Sequence, residues 1–421
     1  MKLHANVFLS GERFLLRLDN VHMKKSLLLV LCVVTLCLSV HAQSTTFKLR
    51  AHEINLENGK TLTLNLPEAF GIAVAAQGLK RVRFMARSPD GRIFVTDMYN
   101  LTDNKKGAVY VLDDFDPANK KFKSVVPYLT GLRNPNSIAF YTDEQGNDWF
   151  YLALTDRLVR YRYTRGEKNP TGTPQVLATF PDYGLGYKYG GWHLTRTIII
   201  GSNRKLYISV GSSCNACEEK EDVRASVIEM DPDGQNQRHF ARGLRNAVGM
   251  RWVNEKLVVT NMGADHLGIN RPADTMYEVK DGEHYGWPYC YQLDTKVFRD
   301  EKFNPRSRKM DCRKVPVAYR AFDAHSSPLG FEIFQKSDNE LLGGKVLVAL
   351  HGSTRKSLKR GYRVVAFSAD RKSEQSWPFI TGFQDDGIVK GRPVDIFRTD
   401  DDAFLLTDDR AGVVYYVYRT R

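Results

Sequence analysis

Residues 82–97, VRFMARSPDGRIFVTD, contain the pattern that decides the fold: an apolar strand, a polar turn, and a second apolar strand ending in an acidic residue. Apolar residues dominate both arms around the Pro-Asp-Gly turn, as expected of a hairpin of two antiparallel strands. A strand, a polar turn and a second strand ending in a small or acidic residue occur five more times, beginning at residues 136, 196, 248, 329 and 394. The spacing is near 55 residues, except for a longer step between the fourth and fifth copies. The chain therefore consists of six similar units, four of which continue into a third strand.

A short antiparallel sheet with two apolar faces cannot stand alone, so the copies must pack against one another. Radial closure is the arrangement that leaves few exposed sheet edges. Six copies therefore predict an all-β, six-bladed β-propeller in a single domain. The C-terminal strand GVVYYVYR is expected to complete a blade with N-terminal sequence such as FKLRAHEINL, residues 47–56.

The composition indicates a globular protein and gives no sign of a nucleic-acid partner. The chain has 421 residues with 42% hydrophobic and 11% aromatic content, enough to form a large core. Its formal charge of +13 is spread over a surface where acidic residues are interleaved with the basic ones. Because no basic run coincides with a nucleic-acid motif, the excess is interpreted as a solvated surface.

The N-terminal sequence from Met23, MKKSLLLVLCVVTLCLSVHAQS, reads as a signal peptide with two lysines, an apolar run and a small residue at Ala42. The apolar run is shorter than a membrane-spanning helix, and no later segment is apolar enough to span. We expect an N-terminal extension and signal over residues 1–42 and a mature propeller over residues 43–421, with an insertion around 288–325. Residues 1–22 are either an upstream mistranslation or an extended signal. The mature chain, with a charge of about +10, is expected to be periplasmic or secreted.

Four cysteines remain after removal of the signal: Cys214, Cys217, Cys290 and Cys312. An even number in an oxidising compartment favours disulfides. Three pairings are open, of which Cys214–Cys217 with Cys290–Cys312 involves the least strain. The Cys-x-x-Cys pair could also be a redox dithiol or half of a metal site, but no histidine follows for haem attachment and no second pair completes a zinc site.

The segments that enter the repeats carry unusual side chains at corresponding positions. They are Arg133 and Asn134, His193, Arg245 and Asn246, His325, and Arg392. Equivalent positions of propeller blades face a shared axis, so these residues could line one pocket. Arginine pairs with carboxylates through its planar fork, and a neutral histidine accepts a proton near neutral pH. The sequence therefore predicts an anionic cofactor or an acidic substrate.

Several motifs occur in a fixed order: HLTRTIIIG, KLYISVG, GLRNAVG, ADHLG, YGWP, AHSSPLGF and GRPVDIF. Together they resemble the soluble quinoprotein glucose and sorbosone dehydrogenase family, closest to its sorbosone dehydrogenase-like branch, over about residues 79–421. The resemblance implies pyrroloquinoline quinone (PQQ) with Ca²⁺ as cofactors and oxidation of an aldose or sorbosone-like sugar by hydride transfer to the quinone. We expect electrons to leave by a separate acceptor.

The resemblance also implies roles for individual residues. His193 matches the catalytic base, and Arg245 and Asn246 match the pair that contacts the cofactor near its reactive carbonyl. Lys356 and Arg392 match residues that contact cofactor carboxylates, although Arg355 or Lys359 could take the place of Lys356. The segment from Asp265 through Leu267 to Gly268 corresponds to the calcium loop, partly through backbone carbonyls, and oxygen ligands are what calcium requires.

Some positions depart from the family pattern. Ser212 and Ser213 stand where the glucose-oxidising branch has acid and amide residues, and Thr354 replaces a tryptophan. Arg133 with Asn134 repeats the functional pair in another blade and is interpreted as a structural echo. Two alternatives stay open: a calcium-dependent propeller lactonase or other hydrolase, and a non-catalytic propeller that binds carbohydrate or protein.

Overall fold

Six four-stranded antiparallel sheets form the body of the molecule in the computed structural model, which describes residues 48–186, 193–335, 341–370 and 376–420. We number the sheets as blades 1 to 6, with the first strand of each blade innermost. The strands are, for blade 1, Val82–Arg87, Ile93–Asp97, Gly107–Asp116 and Lys121–Leu132; for blade 2, Ser137–Thr142, Asp148–Ala153, Arg157–Arg162 and Gln175–Thr179; for blade 3, Arg196–Ile200, Leu206–Val210, Ser226–Met230 and Arg238–Arg242; for blade 4, Ala247–Val253, Lys256–Asn261, Asp274–Val279 and Arg320–Phe322; for blade 5, Pro328–Phe334, Lys345–Leu350, Arg363–Ser368 and Trp377–Ile380; and for blade 6, Pro393–Asp400, Ala403–Asp408, Val413–Arg419 and Phe70–Ala76.

The first strands close into a ring. Each contacts the first strand of the next blade, and that of blade 6 contacts that of blade 1. Apolar clusters fill all six interfaces between neighbouring blades. The expected six-bladed β-propeller, in one domain, is confirmed.

The second strand of blade 2 shows why these strands are apolar on both faces. Successive side chains of a strand point in opposite directions. Phe150 and Leu152 accordingly pack toward blade 1, whereas Tyr151 and Ala153 pack toward blade 3. A strand between two neighbours therefore has no solvent face, and its sequence loses simple alternation.

Blade 6 is closed by a different N-terminal segment from the one expected. Val413–Arg419 pairs with Phe70–Ala76, whereas Leu49–Asn55 pairs with Thr61–Pro67 in a hairpin outside the blades. The prediction that an N-terminal strand and the C-terminal strand share one blade is confirmed, but the N-terminal segment predicted for that strand was wrong. Leu49–Asn55 is mostly exposed, while Phe70–Ala76 is mostly buried, so only the latter has the apolar character of a strand inside a blade.

Short elements outside the blades are carried by loops. The long step between repeats lies between the third and outer strands of blade 4 and contains the hairpin Cys290–Leu293 with Lys296–Arg299. The remaining elements are the pair Gln384–Asp385 with Ile388–Val389 and the 3-10 turns Asp265–Leu267, Pro305–Ser307, Cys312–Lys314 and Lys356–Leu358. In the described part of the chain, no helix is both long enough and apolar enough to cross a membrane.

The structure contains two disulfides, Cys214–Cys217 and Cys290–Cys312. This is the pairing that sequence spacing favoured. The first closes a small loop after the second strand of blade 3, and the second ties the two ends of the blade 4 excursion. The proposed signal, the residue 1–22 extension and the start of the mature chain near Gln43 lie outside the described residues and stay predictions.

Candidate active site

We call the segment that precedes the first strand of each blade its entering loop. Because every first strand begins at the same end of the ring, the six entering loops meet at one face of the propeller around the central channel. The loops of blades 3, 4, 5 and 6 supply His193, Arg245, His325 and Arg392, respectively. The sequence-predicted residues therefore belong to this one face.

His193 is oriented by the chain at the end of the neighbouring strand. Its Nδ1 lies 2.8 Å from the backbone oxygen of Ser212 and 3.1 Å from the Ser212 hydroxyl. A carbonyl oxygen can only accept, so Nδ1 carries the proton and Nε2 is the basic nitrogen of the neutral ring. Burial, aided by the charge of Arg245, holds the pKa of His193 well below its usual 6.5. The ring is therefore a neutral, oriented base.

Gly211 allows the catalytic candidates to approach one another. A Cβ atom at this position would lie 2.6 Å from Asn246 Oδ1 and 2.7 Å from His193 Cβ. Both contacts are too short for any side chain other than hydrogen. Gly211, which directly follows the second strand of blade 3, thus allows His193 and Asn246 to lie close together across the boundary between blades 3 and 4.

Arg245 is buried, with 4% of its surface exposed, and is held by an amide rather than by a carboxylate. Its Nε donates to the backbone oxygen of Asn215 over 2.8 Å, and one terminal nitrogen donates to Asn215 Oδ1 over 3.1 Å. No described carboxylate oxygen lies within 4.0 Å of the guanidinium. Burial lowers the pKa of Arg245, and Asp265 and Asp274 partly offset this effect. The guanidinium remains a cation without a paired anion.

Arg392 has a similar environment in blade 6. Its terminal nitrogens donate to His351 Nδ1 over 3.3 Å, to the backbone oxygen of Ser353 over 3.1 Å and to the Tyr362 hydroxyl over 3.2 Å. Its guanidinium carbon lies 5.1 Å from the Tyr362 ring centroid, a cation–π contact. Here too, no described carboxylate lies within ion-pair distance. Arg392 is a second cation held by neutral acceptors.

The acceptor role of His351 toward Arg392 follows from its other nitrogen. His351 Nε2 lies 3.0 Å from Asp409 Oδ1, which fixes the proton on Nε2 and leaves Nδ1 as an acceptor. Burial lowers the pKa of His351 to about 4, so the ring is neutral. Asp409 also accepts from Arg81 and Arg83, and its charge is balanced by those two residues rather than by Arg392.

Arg133, the echo of Arg245, is paired differently. Its Nε and one terminal nitrogen donate to the two oxygens of Asp103 over 2.8 and 2.6 Å, and it lies 3.0 Å from Asp182 and 3.3 Å from Asp156. Three carboxylates surround one guanidinium. Hydrogen bonding to Asp103 raises the pKa of Arg133, and the cluster carries no excess positive charge.

The expected calcium loop lies beside Arg245 but has other partners. Asp265 Oδ1 and the backbone oxygen of Gly268 lie 2.9 and 2.8 Å from the two ring nitrogens of His325, and the backbone oxygen of Leu267 accepts from Arg271 over 2.9 Å. The three groups predicted to bind calcium thus each lie within hydrogen-bond distance of a side-chain nitrogen of this chain. Their role as calcium ligands stays a prediction.

No hydrogen bond or ion pair among the described residues joins the side chain of Lys356, Arg355 or Lys359 to these clusters. All three are exposed in the segment after the second strand of blade 5. The Lys356 backbone oxygen accepts from Gln384, and Lys359 pairs with Asp386. Thr354 is exposed as well. The structure therefore brings His193, Arg245 and Asn246 into one cluster and places Arg392 in a second, without joining Lys356 to either.

Comparison with known proteins identifies the family of this chain. The family model described as TrAA12-like matches residues 64–389. The chain belongs to the TrAA12-like family. This is a family of PQQ-dependent pyranose dehydrogenase-like proteins, so the resemblance seen in the sequence is confirmed, and the chain is an enzyme of the PQQ-dependent sugar dehydrogenase type.

Solved structures similar to this TrAA12-like chain share its fold. The holo PQQ domain of pyranose dehydrogenase from Coprinopsis cinerea is 18% identical, with a TM-score of 0.67, covering 85% of this chain and 97% of that one. A calcium structure of a Trichoderma reesei family AA12 enzyme is 17% identical, with a TM-score of 0.68, covering 91% and 100%. The apo soluble aldose sugar dehydrogenase of Escherichia coli is 12% identical, with a TM-score of 0.58, covering 83% and 100%. An uncharacterized protein of Borreliella burgdorferi is 25% identical over 381 residues, 85% of this chain and 91% of that protein.

Sequence reasoning on this TrAA12-like chain missed the residues that hold the candidates in place. Asn215, Tyr362 and Asp409 were given no role, and Ser212 was noted only as a departure. The signal for Asn215 was its position between two cysteines. Asp409 ends the sixth repeat, but the third and fifth repeats end in glycine, so no shared pattern pointed to it.

Proposed function

We propose that this chain oxidises an aldose or a related hydroxy-carbonyl sugar, with PQQ as the bound oxidant and His193 as the general base. The observation that carries the proposal is the pairing of a neutral, oriented His193 with buried Arg245, a cation that has no described carboxylate partner. The family to which the chain belongs supports it.

The residues present fit an anionic quinone. PQQ is a multiply charged carboxylate, and buried arginines held only by neutral acceptors are suited to bind one. Arg245 and Asn246 would contact it near its reactive carbonyl, and Arg392 would contact a carboxylate. A site whose cations were already neutralised, like that around Arg133, would offer much less. When bound, PQQ supplies the two-electron acceptor that no side chain of the protein can provide.

The task of His193 follows from its hydrogen bonds. The Ser212 carbonyl fixes Nδ1 as the donor, so Nε2 is available to accept the hydroxyl proton of a sugar. Burial, together with the charge of Arg245, lowers the pKa of His193, so that nitrogen is unprotonated at neutral pH. Positioned general-base catalysis of this kind contributes about 10²–10⁴-fold to rate. If Ca²⁺ is bound, oxygens of Asp265, Leu267 and Gly268 would hold it, and the ion would supply Lewis-acid polarisation of the quinone.

Reconstitution tests the proposal. Purified protein is titrated with PQQ, with and without Ca²⁺, and reduction of an artificial dye is followed with a panel of aldoses. We expect dye reduction that requires both PQQ and sugar. Dye reduction that does not depend on PQQ, or lactone hydrolysis in its absence, would instead favour an alternative enzyme. The absence of any turnover with tight carbohydrate binding would favour a non-catalytic propeller.

The base is tested by His193→Ala, with His239→Ala as the matched control. His239 lies on the outer strand of blade 3 and pairs with Asp222. We expect kcat of His193→Ala to fall by about 10²–10⁴-fold while PQQ affinity changes little, and His239→Ala to behave as wild type. Near-normal turnover of His193→Ala would assign the base elsewhere.

A further inference from the structure

Asn215 occupies a position from which it contacts two parts of the site. Its backbone oxygen accepts from Arg245 Nε over 2.8 Å, and its side-chain oxygen accepts from another Arg245 nitrogen over 3.1 Å and from the Asp265 backbone nitrogen over 2.9 Å. One residue of blade 3 thus holds the guanidinium supplied by blade 4 and the start of the 3-10 turn that follows the second strand of that blade.

The segment that carries Asn215 is fixed at both ends. Cys214 and Cys217 are joined by a disulfide, which leaves Asn215 inside a loop of four residues. Ser213 donates from its backbone nitrogen and hydroxyl to the Glu219 carboxylate over 2.7 and 2.6 Å. Loop conformations restricted in this way lose less entropy when they form specific hydrogen bonds.

The chemistry of the amide decides what Arg245 can do. An amide oxygen accepts the hydrogen bonds of a guanidinium without carrying charge, whereas a carboxylate in the same place would neutralise it. In the entering loop of blade 2, Arg133 donates from the same two kinds of nitrogen to Asp103, which lies between the second and third strands of blade 1, and the result is a closed ion pair. The amide therefore orients Arg245 and leaves its charge available to a ligand.

We propose that Asn215, framed by the Cys214–Cys217 disulfide, is a positioning residue that orients Arg245 and preserves its charge for an anionic ligand. The proposal rests on the proposed function, in which that ligand is PQQ. It also assigns to the Cys214–Cys217 disulfide a role in the site: holding the loop that carries Asn215.

The first test compares Asn215→Asp, Asn215→Ala and wild type by fluorescence titration with PQQ, with Asn236→Asp as a control that makes the same change in a surface turn. Asn215→Asp is nearly isosteric, so a purely structural role predicts wild-type affinity. We expect the dissociation constant of both Asn215 variants to rise about tenfold or more, as for loss of a charge-assisted interaction. For Asn215→Asp the dissociation constant should also depend less on salt, because one positive charge of the site is neutralised.

A second readout needs no PQQ. The His193 imidazole is titrated by NMR in the unloaded protein. Because the Arg245 charge lowers the pKa of His193, Asn215→Asp should raise that pKa and Asn236→Asp should not. Unchanged His193 titration together with PQQ affinity within twofold of wild type would overturn the inference. If wild type itself fails to bind PQQ, the proposed function fails, and the NMR titration alone decides the role of Asn215.

The role of the Cys214–Cys217 disulfide is tested by the double variant Cys214→Ser/Cys217→Ser, with and without Asn215→Ala. If the disulfide acts through Asn215, the serine variant should lose PQQ affinity in the same direction, and adding Asn215→Ala should cause little further loss. Fully additive losses would show that the disulfide and Asn215 act independently, and would overturn this part of the inference.

Discussion

Two entering loops of this propeller contain the same four residues and differ in what surrounds them. GLRN occurs as residues 131–134 before blade 2 and as residues 243–246 before blade 4. Arg133 contacts three carboxylates, whereas the Arg245 guanidinium, among the described residues, hydrogen-bonds only to the amide and backbone oxygens of Asn215. The same local sequence therefore produces an arginine whose charge is neutralised in one blade and an arginine without a carboxylate partner in another.

The comparison separates two uses of a buried arginine. Asp103, fully buried, stabilises Arg133 where it stands and raises its pKa, which is the pattern of a structural ion pair. Burial lowers the pKa of Arg245, and the charges of Asp265 and Asp274 partly offset this effect. A buried cation with no carboxylate at hydrogen-bond distance is a candidate contact for an anionic ligand.

The largest expected difference is in cofactor binding. Arg245→Ala should weaken PQQ binding by a hundredfold or more, since truncating a buried partner of a charged contact costs about 2–5 kcal/mol. Arg133→Ala should leave the PQQ dissociation constant within about twofold, since its charge is already neutralised. Titration of both variants with PQQ measures the two dissociation constants. Equal losses of affinity would show that the two arginines do not differ in ligand binding.

The second expected difference is in stability, where Arg133→Ala should have the larger effect. Arg133→Ala leaves the buried Asp103 carboxylate without its cation, and breaking a buried pair in this way costs about 3 kcal/mol. Urea unfolding at neutral pH should therefore show a lower midpoint for Arg133→Ala than for Arg245→Ala. A midpoint for Arg133→Ala at the wild-type value would show that its three carboxylates are solvated rather than paired.

A smaller effect is expected when one of the carboxylates around Arg133 is replaced by an amide. Asp103→Asn gives Arg133 an amide partner like that of Arg245, although Asp156 and Asp182 remain. We expect a loss of about 1–2 kcal/mol in the free energy of unfolding with no change in PQQ affinity. A gain or loss of PQQ affinity in this variant would show that blade 2 contributes to the site.

The smallest expected effect concerns the pH dependence of turnover. His193 must be neutral to accept a proton, and its pKa lies well below 6.5 because of burial and of Arg245. Wild-type kcat should therefore stay level as pH falls from about 8 to about 6 and should drop only below its depressed pKa. Arg245→Ala should move that drop to higher pH, and Arg133→Ala should not. A drop centred near 6.5 in wild type would show that His193 is not the depressed group.

The fold could be predicted because its signal is repeated six times along the sequence. The closing strand could not, because Leu49–Asn55 and Phe70–Ala76 are both strands, and only packing decides which one lies within blade 6. The basic stretch around the turn Lys356–Leu358 illustrates a similar limit. Its sequence did not decide which of several cations would contact the cofactor, and in the structure all of the candidates are exposed.

The site was predictable in its principal residues and not in their partners. His193 and Arg245 stand out at corresponding positions of the repeats. Asp103 and Asn215 each lie 30 residues before the arginine that they hold, so they occupy equivalent positions of the repeat but are far from the arginine along the chain. The functional contrast between the two GLRN segments depends on those distant residues, so local sequence alone could not reveal it.

The way blade 6 is assembled has a consequence for biosynthesis. Its inner three strands come from residues 393–419 and its outer strand from Phe70–Ala76, so this blade cannot form until Val413–Arg419 has been translated. Until then the apolar flanks of blades 1 and 5, which include Val82 and Phe334, have no neighbour to cover them. The flank of blade 1 therefore stays uncovered from the completion of that blade until the end of synthesis, and that interval is when a chaperone would protect the nascent chain most from aggregation.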